Sequence, residues 1–357
     1  MKTRGAISTV TTLLIAAFAV IILTSKDKRQ VTDVSPRPRH GVAVIITGAA
    51  ARIPQEAALL EELDQRGLLD DLVFISGVSS GAINAVMLNG IMSGRITWDE
   101  YREMLFSLSN SDVYVQEAHR IPVNTSPERE MLRGVFEGKL GFRTIGDLPY
   151  PTSLSITHMK DLYLKADAYR MCSRKINEET DTTLNLTDIV MASSAFPVAF
   201  PPVRIENAPT IPDAGYIDGA ASEDIVPYHA LFEFEKFRGT NVERVYIITR
   251  KSDSLPLVSE ELHGLGIDDR GLFDRMAISL DAIVDKGVVK SLNAYATEAP
   301  DHIPVTYIWV PEFKKDFLLF QFDNLQEQYA LTLDWAKSNE PMPLRDFLVR
   351  HGEHAVQ

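Results

Sequence analysis

The run Leu72 to Ser76 passes directly into Gly77-Val-Ser-Ser-Gly81, and the small residues Ala82, Asn84 and Ala85 follow. This succession predicts a buried strand, a tight turn that presents a serine at its tip, and a helix able to pack closely on the strand. A second run, Gly41-Val-Ala-Val-Ile-Ile-Thr47, is β-branched without polar alternation, as in a strand covered on both faces of a parallel sheet. Parallel neighbours need a crossover, and a helix from Pro54 supplies one: proline suits the first helical position, and Leu59, Leu60 and Leu63 form one apolar stripe before Gly67. The fold class is therefore α/β, a three-layer α/β/α arrangement around a mostly parallel central sheet.

Further elements follow from the same reasoning. Thr97-Trp-Asp-Glu100 has the spacing of a capping box and opens an amphipathic helix, whereas residues 110 to 127 read as irregular. Strands are expected at Ser153 to Thr157, Leu162 to Ala166, Val242 to Thr249 and Val305 to Val310. Helices are expected near 187 to 195, 270 to 295 and 323 to 337. No internal repeat or low-complexity tract is present.

The first forty residues differ in kind. Lys2 and Arg4 precede an uncharged run from Ala6 to Leu23, which predicts a membrane-targeting segment over 1 to 28. Leu23-Thr-Ser-Lys-Asp-Lys-Arg follows the apolar core at once and offers no small-residue cleavage site there. This favours a single-pass N-terminal anchor in the membrane over a cleaved signal and secretion. Basic residues flank both sides, so sidedness stays open. Residues 29 to 40, with Pro36 and Pro38, read as a tether.

Charge excludes one class of function. Residues 41 to 357 hold 29 basic against 47 acidic side chains, and a surface that acidic disfavours nucleic acid as a partner. The single cysteine, Cys172, excludes an intrachain disulfide and has no metal-ligand neighbours.

Chemistry concentrates in three places. Gly77-x-Ser79-x-Gly81 after a strand is the pattern of a nucleophile elbow, with Ser80 beside the nucleophile. Gly215-Tyr-Ile-Asp-Gly-Ala220 holds an Asp-Gly pair that, alone, marks a turn. Upstream of it stands Ala192-Ser-Ser-Ala-Phe-Pro-Val-Ala-Phe-Pro-Pro202. Taken together, and in this order from Gly41 to Pro227, these motifs resemble the patatin-like phospholipase family. There an Ala-Ser-x-Ala-x-Pro segment precedes an Asp-Gly-Gly or Asp-Gly-Ala triplet, here Asp218-Gly219-Ala220. Thr144-Ile-Gly-Asp-Leu-Pro-Tyr-Pro also resembles the family's middle section.

The resemblance implies a Ser/Asp dyad in which Ser79 attacks an ester carbonyl and Asp218 takes its proton, with no cofactor and no metal. The substrate implied is a phospholipid or another acyl lipid. A catalytic domain over 41 to 236 is expected, with 237 to 357 completing the sheet and adding a terminal helix. The family's glycine-rich loop after the first strand, whose amides receive the oxyanion, corresponds to Gly48-Ala49-Ala50-Ala-Arg52-Ile53. Gly48 and Arg52 match, while Ala50 and Ile53 replace glycines. If position 50 requires a positive φ, alanine there costs about 1 kcal/mol or misaims the donor.

Three alternatives stay open at this stage. One is a triad using His229 or His302, which follow Asp218 as they do in α/β-hydrolases. Another is a thioesterase or small-ester hydrolase on the same site. The third is a weakened or inactive protein kept as a lipid-binding module.

Overall fold

The computed structural model describes residues 41–116, 121–160, 165–176, 180–206, 208–239, 242–251, 272–299, 303, 305–315 and 317–352. The expected membrane segment, the tether and His302 lie outside the described residues. Among the described residues nine strands form one mixed sheet: β1 (Val42–Ile46), β2 (Leu72–Val78), β3 (Thr152–Lys160), β4 (Lys165–Cys172), β5 (Val203–Arg204), β6 (Gly215–Asp218), β7 (Arg244–Ile248), β8 (Val305–Trp309) and β9 (Met342–Pro343). Their spatial order is β5-β6-β3-β2-β1-β7-β8-β9, with β4 also pairing β3. The central run from β3 to β8 is parallel, and the marginal strands are antiparallel.

The helices are α1 (Ile53–Gln65), α2 (Ser80–Met92), α3 (Trp98–Ser107), α4 (Asn110–Val113), α5 (Ser126–Arg133), α6 (Leu186–Ser193), α7 (His229–Arg238), α8 (Leu272–Glu298), α9 (Leu325–Ser338) and α10 (Leu344–Gly352). Strand β1 shows why they cover both faces of the sheet. Val42, Val44 and Ile46 enter a core with α1, α2 and α3, whereas Ala43 and Ile45 enter a second core with α7 and α10. Successive side chains of a strand point to opposite faces, so an unbroken apolar run requires cover on each. No helix among the described residues is long and apolar enough to cross a membrane.

The structure departs from the sequence reading in four places. The strand expected at Leu162 to Ala166 lies instead at Lys165–Cys172, where it pairs antiparallel with β3 along eight positions. The Asp-Gly pair closes a strand, β6, rather than only turning the chain. Helix α7 carried no expectation. The irregular stretch contains α4 and a bridge between Val115 and Asn124, and α5 begins within it.

Candidate active site

One strand positions the two residues that matter most. Strand β4 pairs β3 across Ser153 to Lys160, so it occupies one whole edge. Strands β2 and β6 must therefore share the other edge. β2 runs along it until Val78 stands opposite Ser155, and β6 approaches from the opposite direction until Asp218 stands opposite Ile156. The C-terminal ends of β2 and β6 thus meet at consecutive positions of β3. Ser79 is the next residue after β2, and Asp218 is the last residue of β6.

The turn after β2 is strained. Ser79 has φ 58° and ψ −132°, a conformation that L-residues avoid and that costs about 1–3 kcal/mol. The glycines beside it are required by space. A Cβ on Gly77 would stand 2.3 Å from the Gly81 carbonyl oxygen, and one on Gly81 would stand 2.2 Å from that of Thr47. The expected close approach of helix to sheet is therefore present, and it holds the serine at the start of α2. The Ser79 amide donates to Ser193 Oγ (3.0 Å), whose hydroxyl donates to the Ser155 carbonyl (2.7 Å). Ser193, in the Ala-Ser-Ser-Ala segment, ties the elbow back to β3. Its segment was singled out in the sequence, but this role was not.

Asp218 is 1% exposed. Its Oδ1 accepts the Ala220 amide at 2.9 Å, and Oδ2 has no partner in full hydrogen-bond geometry among the described residues. Burial pushes its pKa up to about 7, and interactions with the Ser79 hydroxyl and the Ala220 amide hold it from rising further. A contact with the nucleophile that falls short of full alignment characteristically tightens only when substrate is bound. The Asp218 amide donates to the Ala195 carbonyl (3.0 Å), and Ile217 and Tyr216 are buried beside it. Gly219 lies so close to β3 that a Cβ would meet the Ser155 carbonyl at 2.5 Å. Ala220 contributes the amide that holds the carboxylate.

The loop after β1 folds into one short turn. Gly48 packs against the nucleophile, since a Cβ there would stand 2.9 Å from that of Ser79. Ala50 has φ 45°, so the strain expected for alanine at this position is present. The Ala49 amide donates to Ser80 Oγ (2.8 Å), the Ala51 amide to the Leu319 carbonyl (2.9 Å) and the Arg52 amide to the Ala49 carbonyl (2.9 Å). Among residues 49–52, Ala50 is the one whose amide has no protein acceptor among the described residues. It lines the same pocket as Ser79 and Ser80.

Two side chains brace this loop. Arg52 is neither a solvated charge nor part of the pocket wall: it is 3% exposed, and its Nε and Nη2 both donate to the Phe317 carbonyl, at 2.9 and 2.7 Å. It fastens the loop to the chain before α9. The Ser80 side chain is also a strut, and the residue lines the pocket. Its Oγ holds the Ala49 amide and bonds Glu56, a buried carboxyl whose pKa is raised well above normal by burial. Glu56 also accepts from Thr47 (3.3 Å) and Asn84 (3.1 Å), and Tyr101 donates to Asn84 (2.6 Å). No sequence signal marked this network.

Of the two histidines considered for a triad, His302 lies outside the described residues and His229 does not line the Ser79 pocket. His229 Nδ1 lies 3.0 Å from Asp224 Oδ1, its ring stacks on Tyr228, and no histidine is among the described residues lining the Ser79 pocket. That pocket is mainly apolar, walled by α2, α3 and α5 through Ile83, Met87, Leu105 and Met131, and by Val135 in the helical turn that follows α5. Phe196 and Phe200 close it with Phe320, their rings 5.5 and 5.9 Å from it. Such a cavity beside a nucleophile suits an acyl chain.

The family model described as patatin-like phospholipase matches residues 44–232, from β1 into α7, a span that holds both Ser79 and Asp218. No curated protein matches the chain. Among solved structures, VipD from Legionella pneumophila is 12% identical, with 84% of this chain and 67% of that one covered, at a TM-score of 0.40. Human GIVD cytosolic phospholipase A2 is 13% identical, with 58% and 45% covered, at 0.36. ExoU in its complex with SpcU, from Pseudomonas aeruginosa, is 15% identical, with 89% and 52% covered, at 0.38. The chain spans about half the length of the last two. At these TM-scores the likeness is one of general outline, and the family assignment rests on the matched residues.

Proposed function

The chain belongs to the patatin-like phospholipase family, and on that premise we propose that it hydrolyses acyl esters of phospholipids or related glycerolipids through an acyl-enzyme on Ser79, with Asp218 as the base. One observation carries the reading: β2 and β6 end at consecutive positions of β3, which sets a strained serine beside a buried carboxyl at the wall of an apolar pocket.

The steps follow from these groups. Ionised Asp218 takes the hydroxyl proton as Ser79 Oγ attacks the ester carbonyl. The oxyanion is received by the Ala50 amide and by the first amides of α2, which have no intrahelical acceptor and stand at the positive end of the helix dipole. Asp218 returns the proton to the departing alkoxide, leaving the acyl chain on Ser79 among Ile83, Met87 and Leu105. It then accepts a proton from water, which attacks the acyl-enzyme, and returns that proton to Ser79 Oγ as the ester bond breaks and the fatty acid leaves. The raised pKa suits this role, because a carboxylate near its usual value of 3.8 is a weak base, whereas one near 7 exchanges protons at neutral pH.

Residues 1 to 28 are proposed to anchor the protein in a membrane, where an anchored lipase meets its substrate without a separate adsorption step. Their uncharged run from Ala6 to Leu23 supports this reading.

A second reading, a weakened enzyme retained as a lipid-binding module, is favoured by the alanine held at φ 45° in the oxyanion turn. Labelling with a fluorophosphonate separates the two. The proposed enzyme is labelled and its Ser79→Ala variant is not; an unlabelled wild-type protein, or a labelled variant, overturns the assignment.

A further inference from the structure

The Ser79 pocket contains a second carboxyl that the mechanism above does not use. Glu128 lies in the first turn of α5, is 4% exposed and lines the pocket. Its Oε1 lies 3.3 Å from Ser194 Oγ, while Oε2 has no partner among the described residues. Ser194 adjoins Ser193, which holds the Ser79 amide, so Glu128 stands on the catalytic side of the pocket.

Its position in the chain suggests a different role, which the structure does not bear out. Thr125-Ser-Pro-Glu128 has the spacing of a capping box, as does Thr97-Trp-Asp-Glu100. At Thr97 both halves of the box form. At Thr125 neither does, and the glutamate turns into the pocket instead.

The other polar side chains in the pocket wall are committed within the protein. Tyr101 donates to Asn84 (2.6 Å), Ser107 to the Met104 carbonyl (2.8 Å), Ser194 to the Val190 carbonyl (3.0 Å), and Ser80 holds the Ala49 amide (2.8 Å). That leaves Ser79, whose role is assigned, and Glu128 Oε2. The neighbouring cation, Arg129, is paired with Asp188. A pocket that served only plain hydrocarbon would be better lined by leucine at this point, because an unsatisfied buried polar atom destabilises the fold.

We propose that Glu128 is a specificity determinant that hydrogen-bonds a hydroxyl group of the substrate inside the acyl pocket. This rests on Ser79 being the nucleophile of the same pocket. Burial lifts the Glu128 pKa to about 8, so at neutral pH the group is a neutral acid, able both to accept from a hydroxyl and to donate to one. The hydroxyl has two sources: the acyl chain, as in a hydroxy fatty ester, or the glycerol of a lysolipid or monoacylglycerol.

The test reads ratios of kcat/KM within each protein, so that a general loss of activity cancels. One arm compares 4-nitrophenyl esters of dodecanoic acid and of its hydroxylated forms, with the hydroxyl placed at successive carbons. The other compares 1-dodecanoylglycerol with methyl dodecanoate. Wild-type protein is expected to favour a hydroxylated member of at least one arm by about tenfold, the value of one net hydrogen bond. Glu128→Leu is expected to abolish that preference, and Glu128→Gln, which keeps a donor and an acceptor, to retain most of it. Glu128→Met replaces the leucine variant should that fail to fold. The responding arm identifies the source of the hydroxyl. No preference in wild type, or a preference unchanged in the apolar variant, overturns the proposal. Activity surviving in Ser79→Ala would instead overturn the reading on which it rests.

Discussion

Asp218 and Asp224 lie six residues apart, both buried and both packed against β3, yet their environments push them in opposite directions. Asp224 is saturated. Arg170 donates to both of its oxygens (2.8 and 2.9 Å), Ser155 Oγ donates to one (2.7 Å), and His229 Nδ1 lies 3.0 Å away. These partners outweigh burial and lower its pKa. Asp218 keeps one amide and the edge of a serine, so burial wins and its pKa rises to about 7. The same residue type is thus a structural ion in one place and the proposed proton acceptor in the other. The number of donors each receives decides which. Asp224 also belongs to the one group of acidic and histidine side chains, among the described residues, close enough to hold a cation: Glu223, Asp224 and His229. Arg170 already pairs both acids and supplies the positive charge there.

The largest expected effect would break the comparison at Asp218. Asp218→Asn is expected to lower kcat/KM by about 10⁴-fold or more, as Ser79→Ala does, because the dyad acts as a unit. Wild-type kcat/KM is expected to fall tenfold per pH unit below about pH 7 and to level off above it, since the ionised carboxylate is the active form. Stability should move the other way. A carboxyl lifted from 3.8 to about 7 favours the folded state fully below pH 3.8 and loses that contribution as pH rises towards 7. Relative to wild type, the asparagine variant should therefore gain up to about 4 kcal/mol at pH 8 and nothing near pH 4, as read by urea unfolding at both values. A flat pH profile would remove Asp218 from the base role.

Next in size is Asp224→Ala, which leaves the Arg170 guanidinium facing Glu223 and Glu233 without its buried partner. A loss of about 3–5 kcal/mol is expected. Because the Asp224 pKa is lowered, its own contribution is fully present above the ordinary carboxylate range and is lost as pH falls below that range through its depressed folded value, the reverse of Asp218. A variant as stable as wild type would show that the ion cluster is incidental.

The smallest effect tests the oxyanion turn. Ala50→Gly should raise stability by about 1 kcal/mol, by relieving φ 45°, and leave activity equal or higher. Loss of activity would show that the Cβ helps hold the amide in place.

The comparison also marks where the sequence stops being informative. The continuous run Val42–Ile46, the glycines at 77 and 81 and the capping box at Thr97 each impose local geometry, and each lies where periodicity and sterics predicted. The site's first residues were legible for the same reason, since Ser79 and Asp218 sit in motifs whose glycines have a packing cause. Strand β6 was not legible, because four residues ending in Asp-Gly carry a turn signal and gain strand geometry only from β3. The bracing role of Arg52 was not legible, because sequence does not say whether a carbonyl such as that of Phe317 will meet a guanidinium. Ser193 and Glu128 owe their roles to partners far along the chain, and short patterns do not encode these. For Glu128 the local pattern even points the wrong way.

The meeting of β2 and β6 on one edge of β3 has an engineering consequence. In many enzymes the separation of reacting groups depends on loops, which tolerate insertions and drift. Here it is set by one peptide unit of a strand, between Ser155 and Ile156. One residue inserted at that point would carry the partner of Asp218 about 3.3 Å along the edge and turn its side chain to the other face. The chain that joins the two motifs, by contrast, can vary in length without altering the dyad, provided β3 keeps its count. Homologous or designed variants of this site are therefore free to remodel the cover over the pocket while holding this stretch of backbone to an integer register.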